Sequence, residues 1–305
     1  MVGRRAASDK SYKIRRLMRI LVLGGDGMLG HQLLRTLGAA HEVKVTLRRA
    51  LADYSACGLF GTANAYCGID ARAPEALREV FAEFRPEAVV NAVGLVTQRA
   101  GEQDIVSHIE INALFPQRLA QMCRDAGARL VHVSTDAVFS GARGGYREDD
   151  PPDPVDTYGR CKLLGEVTGP GALTLRTAII GLGLTRRTGL IDWFLQQREE
   201  VKGYRNAVFS GVTAKELARV VGRIVAGFAG ASGLYHLSAA AISKFDLLAA
   251  LRDRLALPLR IVPDDALHVD RSLDSTRFRA AFSYSPPSWG QMLDELADDI
   301  GTRKA

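Results

Sequence analysis

Cysteine is scarce in this 305-residue chain, with only Cys57, Cys67, Cys123 and Cys161, and no two of them form a CxxC pair. Four such scattered thiols are too few for a disulfide framework and are read as free. No apolar run approaches the ~20 residues needed to cross a bilayer. The N-terminus also lacks the apolar segment of a signal peptide, so a cytoplasmic protein with no membrane partner is expected. The six histidines fall without metal-ligand spacing, and His132, inside an apolar stretch, reads as a satisfied core residue. No metal is expected.

A net charge of +6 and a pI near 9.2 would suit nucleic acid, but the basic residues are dispersed, so no nucleic-acid partner is expected. Their one dense stretch, from Arg4 to Arg19, is read as a mobile extension over residues 1–18. With 47% hydrophobic and 24% charged residues, the remainder has the composition of an ordinary globular protein with a sizeable core.

From Arg19 onward, short apolar runs alternate with helical patterns, the rhythm of a parallel sheet with crossover helices. Strands are expected at Ile20 to Leu23, Val43 to Leu47, Ala65 to Ile69, Ala88 to Asn91, Leu130 to Ser134 and Leu173 to Thr177. Helices are expected at Met28 to Leu37, Pro74 to Phe84, Glu102 to Ala126, Thr157 to Val167 and Leu190 to Gln197. Thr213 and Glu216 have the spacing of a capping box opening a helix Ala214 to Val225. Gly141 to Pro154 and Gly181 to Gly189 read as loops, and Leu234 to Leu237 as a late strand returning to the sheet. The fold class is therefore α/β, a doubly wound (Rossmann) parallel sheet over 19–178 with a smaller C-terminal substrate-binding lobe over 179–305.

Leu23-Gly24-Gly25-Asp26-Gly27-Met28-Leu29-Gly30 follows the first strand and opens a helix, the context that makes a glycine pattern a dinucleotide site. Gly24 permits the turn, Gly27 lets backbone approach a pyrophosphate, and Gly30 lets the helix pack close, while Met28 and Leu29 begin the helix whose N–H groups face the anion. The second strand ends in Leu47-Arg48-Arg49 without an acid. Arg48 and Arg49 favour the 2′-phosphate of NADP(H), with NAD(H) as the other option and a solvated strand end as the plain reading.

Tyr158-Gly159-Arg160-Cys161-Lys162 places a phenol and an ammonium one helical turn apart on one face. A tyrosine hydroxyl normally ionises near pH ~10, and an adjacent cation brings it toward neutrality, where it can exchange protons. The preceding strand ends in Ser134-Thr135-Asp136, at the carboxyl edge of the sheet where ligands bind. Either Ser134 or Thr135 could orient a carbonyl beside the phenol.

At these residues the chain resembles the extended short-chain dehydrogenase/reductases, and within them the dTDP-4-dehydrorhamnose reductase family and its nucleotide-sugar relatives. The resemblance rests on the spacing of Gly24, Gly27 and Gly30 and on Asn91-Ala92-Val93-Gly94. It rests most on the run from Ser134 to Gly141, followed by Tyr146, Glu148, Asp150, Pro154 and Tyr158 to Glu166. It implies that Thr135 orients the carbonyl, Tyr158 is the acid and Lys162 its partner. It further implies cofactor contacts from Asp70, Asn91, Ala92, Val93, Gly94, Ser134, Ala178, Ile179 and Ile180. Val96, Thr97, Thr135 and Asp136 are expected at the sugar, and Lys202, Arg205 and Arg271 at the diphosphate. Val212 and Ser272 stand where the reductase pattern carries proline, and the loop from Val96 to Arg99 also departs from it, so the sugar stays open.

The implied activity is NAD(P)H-dependent reduction of a keto group on a nucleotide-activated deoxy sugar, in surface polysaccharide or glycoconjugate precursor synthesis. A 4,6-dehydratase is disfavoured because Ala137 stands where that reaction needs a glutamate after the aspartate. An epimerase and a non-catalytic, cofactor-sensing regulatory subunit are the alternatives. The expected partner is a nucleotide sugar, with a homodimer left open.

Overall fold

The computed structural model describes residues 17–96, 104–185 and 187–304. The basic extension up to residue 16 lies outside the described residues. The main sheet is built from β1 (Arg19–Leu23), β2 (Glu42–Thr46), β3 (Ala65–Tyr66), β4 (Ala88–Asn91), β5 (Arg129–Thr135) and β6 (Ala172–Thr177). The C-terminal half adds β7 (Ile179–Ile180), β8 (Glu200–Tyr204), β9 (Ala207–Phe209), β10 (Val212–Thr213), β11 (Gly233–His236), β12 (Ile242–Ser243), β13 (Arg260–Asp264) and β14 (Val269–Asp270).

The seven strands of the main sheet run in the order β11-β6-β5-β4-β1-β2-β3, and every pairing is parallel. Parallel strands need crossover helices and end up covered on both faces, hence the continuous apolar runs of β1 and β4. On one face pack α1 (Met28–Leu37), which buries Leu29, Leu33, Leu34 and Leu37, and the long helix Ala214–Gly227. On the other pack α2 (Pro74–Phe84) and α3 (Phe115–Asp125), the last part of a longer helical run. Strand order reverses between β1 and β4, which opens a crevice at their carboxyl ends, the ligand position of doubly wound sheets. A separate apolar cluster around Phe194, Leu247, Leu251 and Leu296 forms the core of the C-terminal lobe. No helix of the described residues is long and apolar enough to cross a membrane.

Four local expectations are corrected. The third strand stops at Tyr66, although Ile69 N still reaches Leu47 O after the turn at Gly68. The helix expected from Glu102 to Ala126 is described only from Ile105, and its Ile109–Leu114 segment is a π-helix between α-helical pieces. The helix bearing Tyr158, α4 (Thr157–Leu164), ends at Leu164, and Gly165 just beyond it packs against Asn112 O with no room for a side chain. The capping box forms only by half. Thr213 Oγ1 accepts from Glu216 N at 3.2 Å, whereas the Glu216 carboxylate is drawn away to Tyr284 Oη at 2.9 Å and to Arg219.

Candidate active site

The glycine loop is pinned across β2, with Gly25 N donating to Thr46 O at 2.9 Å and Gly24 N to Thr46 Oγ1 at 3.2 Å. Gly24 turns at φ 81°, and a Cβ there would press on Val93 and the Ala92 carbonyl, so the residue type is dictated twice. α1 starts at Gly27 with no side-chain cap and no acid in its first turn, leaving its N-terminal N–H groups to an anion. The crevice above the loop is lined by Gly24, Gly27, Met28, Arg48, Asp70 and the Ala92–Leu95 segment. It suits a dinucleotide in shape of backbone and in charge.

The two arginines after β2 part company. Arg48 lines the crevice, whereas Arg49 stacks over the Tyr54 ring at 5.1 Å. Tyr54 Oη donates to Asp26 Oδ2 at 3.2 Å, so an acid from the glycine loop stands in the same crevice as Arg48, where the second strand offers none. Asp70 also lines it, paired to Arg72 at 2.7 Å, which holds the carboxyl below its ordinary range.

The crevice continues into a second chamber that shares Gly27, Met28, Ala92, Val93, Gly94 and Gly189 with the first. Thr135, Tyr158 and Lys162 all line this chamber, with Ser134 and Asp136 beside them. Thr135 closes β5, its hydroxyl accepting from Ala137 N at 3.1 Å and donating to Asp136 Oδ1 at 3.2 Å. α4 (Thr157–Leu164) is capped by Asp156, which accepts from Gly159 N at 2.7 Å. Gly159 lets the helix lie directly on the Ala137 carbonyl, bringing Tyr158 and Lys162 to the strand end. Lys162 is 3% exposed and donates to Val133 O at 2.7 Å. Burial lowers its pKa to about 8 against a smaller opposing pull from Glu166. Burial also raises the Asp136 carboxyl, although Arg271 and Lys244 pull the other way.

Behind Thr135, Ser134 Oγ donates to Glu166 Oε1 at 2.8 Å, and Arg176 grips both oxygens of the same carboxylate, each at 2.8 Å. This buried network ties the strand end to α4 and β6. Asn112, inside the π-helix, holds Leu95 from both sides, accepting from its N–H at 2.9 Å and donating to its carbonyl at 2.7 Å. A π-helix of this kind gave no signal in the apolar periodicity, yet it sets a wall of the glycine-loop crevice, which Leu95 and Ile111 line.

Other expected residues separate into two groups. Leu29, Val96, Ala178 and Ile179 line the second chamber, while Gly30 is packed beneath the loop. Thr97 lies outside the described residues. Asn91 does not line either chamber. Its side chain is fully buried, donating to His132 Nδ1 at 3.0 Å and accepting from Val93 N at 3.1 Å, so it shapes the turn that carries Ala92 and Val93. Ile180 points into the lobe core, as alternation from Ile179 requires. Lys202 and Arg205 are exposed and taken up by Asp264 at 3.1 Å and by Asp265, and neither lines the cleft. Arg271 does not line the chamber either, but its charge is within electrostatic reach of Asp136. His132 is only half satisfied. Its Nδ1 accepts from Asn91, its Nε2 has no partner among the described residues, and burial with the nearby Lys162 charge holds the ring well below its ordinary pKa.

A sheet with this switch point, glycine loop and Tyr-Lys helix is the frame of a dinucleotide-dependent oxidoreductase of the short-chain type. The family model of the RmlD substrate binding domain matches residues 18–301. A dTDP-4-dehydrorhamnose reductase of Burkholderia thailandensis is 32% identical over 266 residues, covering 82% of this chain and 81% of that protein. The spore coat polysaccharide biosynthesis protein SpsK of Bacillus subtilis is 27% identical over 253 residues, covering 81% of this chain and 82% of the relative. In fold, the chain is similar to a dTDP-4-dehydrorhamnose reductase of Bacillus anthracis solved in complex with NADP. That likeness has a TM-score of 0.77 at 19% identity, over 92% of this chain and 99% of the other. The chain belongs to the RmlD substrate binding domain family, the group that contains the dTDP-4-dehydrorhamnose reductases.

Proposed function

We propose that this protein reduces a keto carbon of a nucleotide-activated 6-deoxy sugar, with NADPH preferred and NADH as the second donor, in the making of a surface polysaccharide or glycoconjugate precursor. The observation that carries the reading is the meeting of Thr135, Tyr158 and Lys162 in a chamber continuous with the glycine-loop crevice. The name of the Burkholderia relative points to the same substrate class, that of the Bacillus subtilis relative to polysaccharide synthesis, and the NADP of the anthracis enzyme to the same cofactor.

When bound, the reduced nicotinamide supplies a hydride to the keto carbon. The Tyr158 hydroxyl gives its proton to the carbonyl oxygen as charge develops there. Lys162, held on Val133 O through one N–H, keeps two donors for the phenol and for a ribose hydroxyl. Its charge favours the phenolate left behind. Thr135 directs its one proton at Asp136 and must swing it to the carbonyl to act as the second donor. The product is the nucleotide sugar with a hydroxyl in place of the keto group, together with the oxidised dinucleotide.

The assembly we infer is a homodimer. Ile105, Val106, Ile109 and Leu114 leave an apolar face exposed on one helical run, with Leu164 also exposed, which supports a second copy as partner. Sedimentation velocity checks it, and a monomer at micromolar concentration removes the inference.

The test of the reaction is a panel of keto sugar nucleotides assayed with NADPH and NADH, run with Tyr158→Phe. Turnover of the variant should fall by ~10²–10⁴ while NADPH still binds. Near wild-type turnover by the variant would sink the assignment.

A further inference from the structure

Tyr158 is met from the side by a histidine that no motif marks. His108 is 2% exposed, and its imidazole stands edge-on to the Tyr158 phenol, with ring centroids 6.4 Å apart and planes at 71°, a T-shaped arrangement that aromatic pairs favour. His108 itself lines neither chamber. The helical run that carries it is turned against the usual amphipathic pattern. Ile105, Val106, Ile109 and Leu114 are exposed, while His108 and Asn112, four residues apart, are buried on the side of α4.

Buried polar side chains need partners, and Asn112 supplies one for His108. Its Oδ1 accepts from Leu95 N, so its amide nitrogen is the atom that faces His108, and it donates to Nδ1 at 3.1 Å as well as to Leu95 O at 2.7 Å. That arrangement puts the ring proton on Nε2 and selects one orientation of the imidazole. The same segment touches α4 at its far end, where the Asn112 carbonyl lies on Gly165. His108 against the first turn and Asn112 against the residue beyond the last thus brace α4 at both ends. The π-helix begins directly after His108, and the brace is anchored on Leu95 in the wall of the glycine-loop crevice.

A phenol that gives its proton to a carbonyl oxygen must keep its hydroxyl within hydrogen-bond reach of that oxygen, although two side-chain torsions leave the ring free to swing. Lys162 acts on the oxygen end of Tyr158, and His108 bears on the ring. We propose that His108 is a positioning residue for the proton transfer, its imidazole locked by Asn112 and holding the Tyr158 phenol in the delivering orientation. The role rests on the keto-sugar reduction proposed above.

His108→Leu fills much of the space without a ring, and His108→Phe keeps a ring. Both are assayed with NADPH and the keto sugar nucleotide that the wild type reduces fastest. His108→Leu should lower kcat by roughly tenfold or more, the scale of a misplaced catalytic group, with KM within about threefold of the wild type. His108→Phe should restore most of kcat, and NADPH affinity, measured in the same samples, should stay unchanged and show that the variants are folded. Fluorine NMR of protein grown with meta-fluorotyrosine reads the contact without turnover. The line that disappears in Tyr158→Phe should move in His108→Leu and return near its wild-type position in His108→Phe. A His108→Leu enzyme with wild-type kcat, a loss of kcat that His108→Phe shares in full, or a fluorine line indifferent to His108→Leu overturns the positioning role and leaves the reaction standing. A wild type that reduces no keto sugar nucleotide of the panel removes the reaction and this role together.

Discussion

Replacing Lys162 with methionine should alter how stability depends on pH in a way fixed by the site. The ammonium is buried, and its pKa falls from 10.5 to about 8. A base with a depressed folded-state pKa is penalised in its charged form, so between pH 8 and 10.5 the native state holds fewer protons than the unfolded chain. Stability of the wild type therefore rises with pH through that window. The fall from 10.5 to about 8 corresponds to about 3 kcal/mol at pH 7. By pH 10 about 1 kcal/mol of it remains. Methionine keeps the aliphatic volume and removes the charge, but it leaves Val133 O without its 2.7 Å donor, at a cost of about 1–3 kcal/mol. At pH 7 the two effects nearly cancel or favour the variant, while turnover collapses. The pH dependence is the cleaner quantity, because every other titrating group is common to both proteins. Urea unfolding at pH 7 and pH 10 should show the wild type gaining about 2 kcal/mol on Lys162→Met. Parallel stabilities at the two pH values would refute the account of Lys162 as a buried, charge-strained ammonium.

Cofactor preference should reside in Arg48, which lines the crevice, and not in Arg49, which stacks on Tyr54. Arg48→Ala should erase a roughly ten- to hundredfold preference for NADPH over NADH in Kd, while Arg49→Ala changes it by less than roughly threefold. Equal Kd values for the two cofactors in the wild type would end that argument. Glu166→Ala should cost about 3–5 kcal/mol in urea unfolding because it strands the buried Arg176 and unpairs Ser134 Oγ. The double variant Glu166→Ala, Arg176→Met should recover much of the loss, and an equally unstable double variant would show that the pair is not the source.

Periodicity and glycine spacing were enough for the sheet, because parallel strands buried on both faces must be short apolar runs and a strand-glycine-helix junction has few other uses. α1, α2 and β4 came out with the bounds that the sequence suggests, since Pro74, Gly27 and Gly38 mark their ends locally. YxxxK needed only helical geometry to put Tyr158 and Lys162 on one face. The π-helix at Ile109–Leu114 stayed hidden because its cause is tertiary. Asn112 satisfies Leu95 and meets Gly165, residues 17 and 53 positions away in the chain.

Charge partners were equally out of reach of the sequence. Lys202, Arg205 and Arg271 look alike as letters, yet the fold pairs the first two with Asp264 and Asp265, while Arg271 lies within electrostatic reach of Asp136. Arg48 and Arg49 are adjacent residues with different tasks because Tyr54, brought in by a later turn, offers its ring to one of them. Local spacing determined which elements form and which side chains share a helix face. Which charges are neutralised, which polar atoms stay unpaired and which residues face the cleft depend on contacts between distant segments, and only the packed chain decides them.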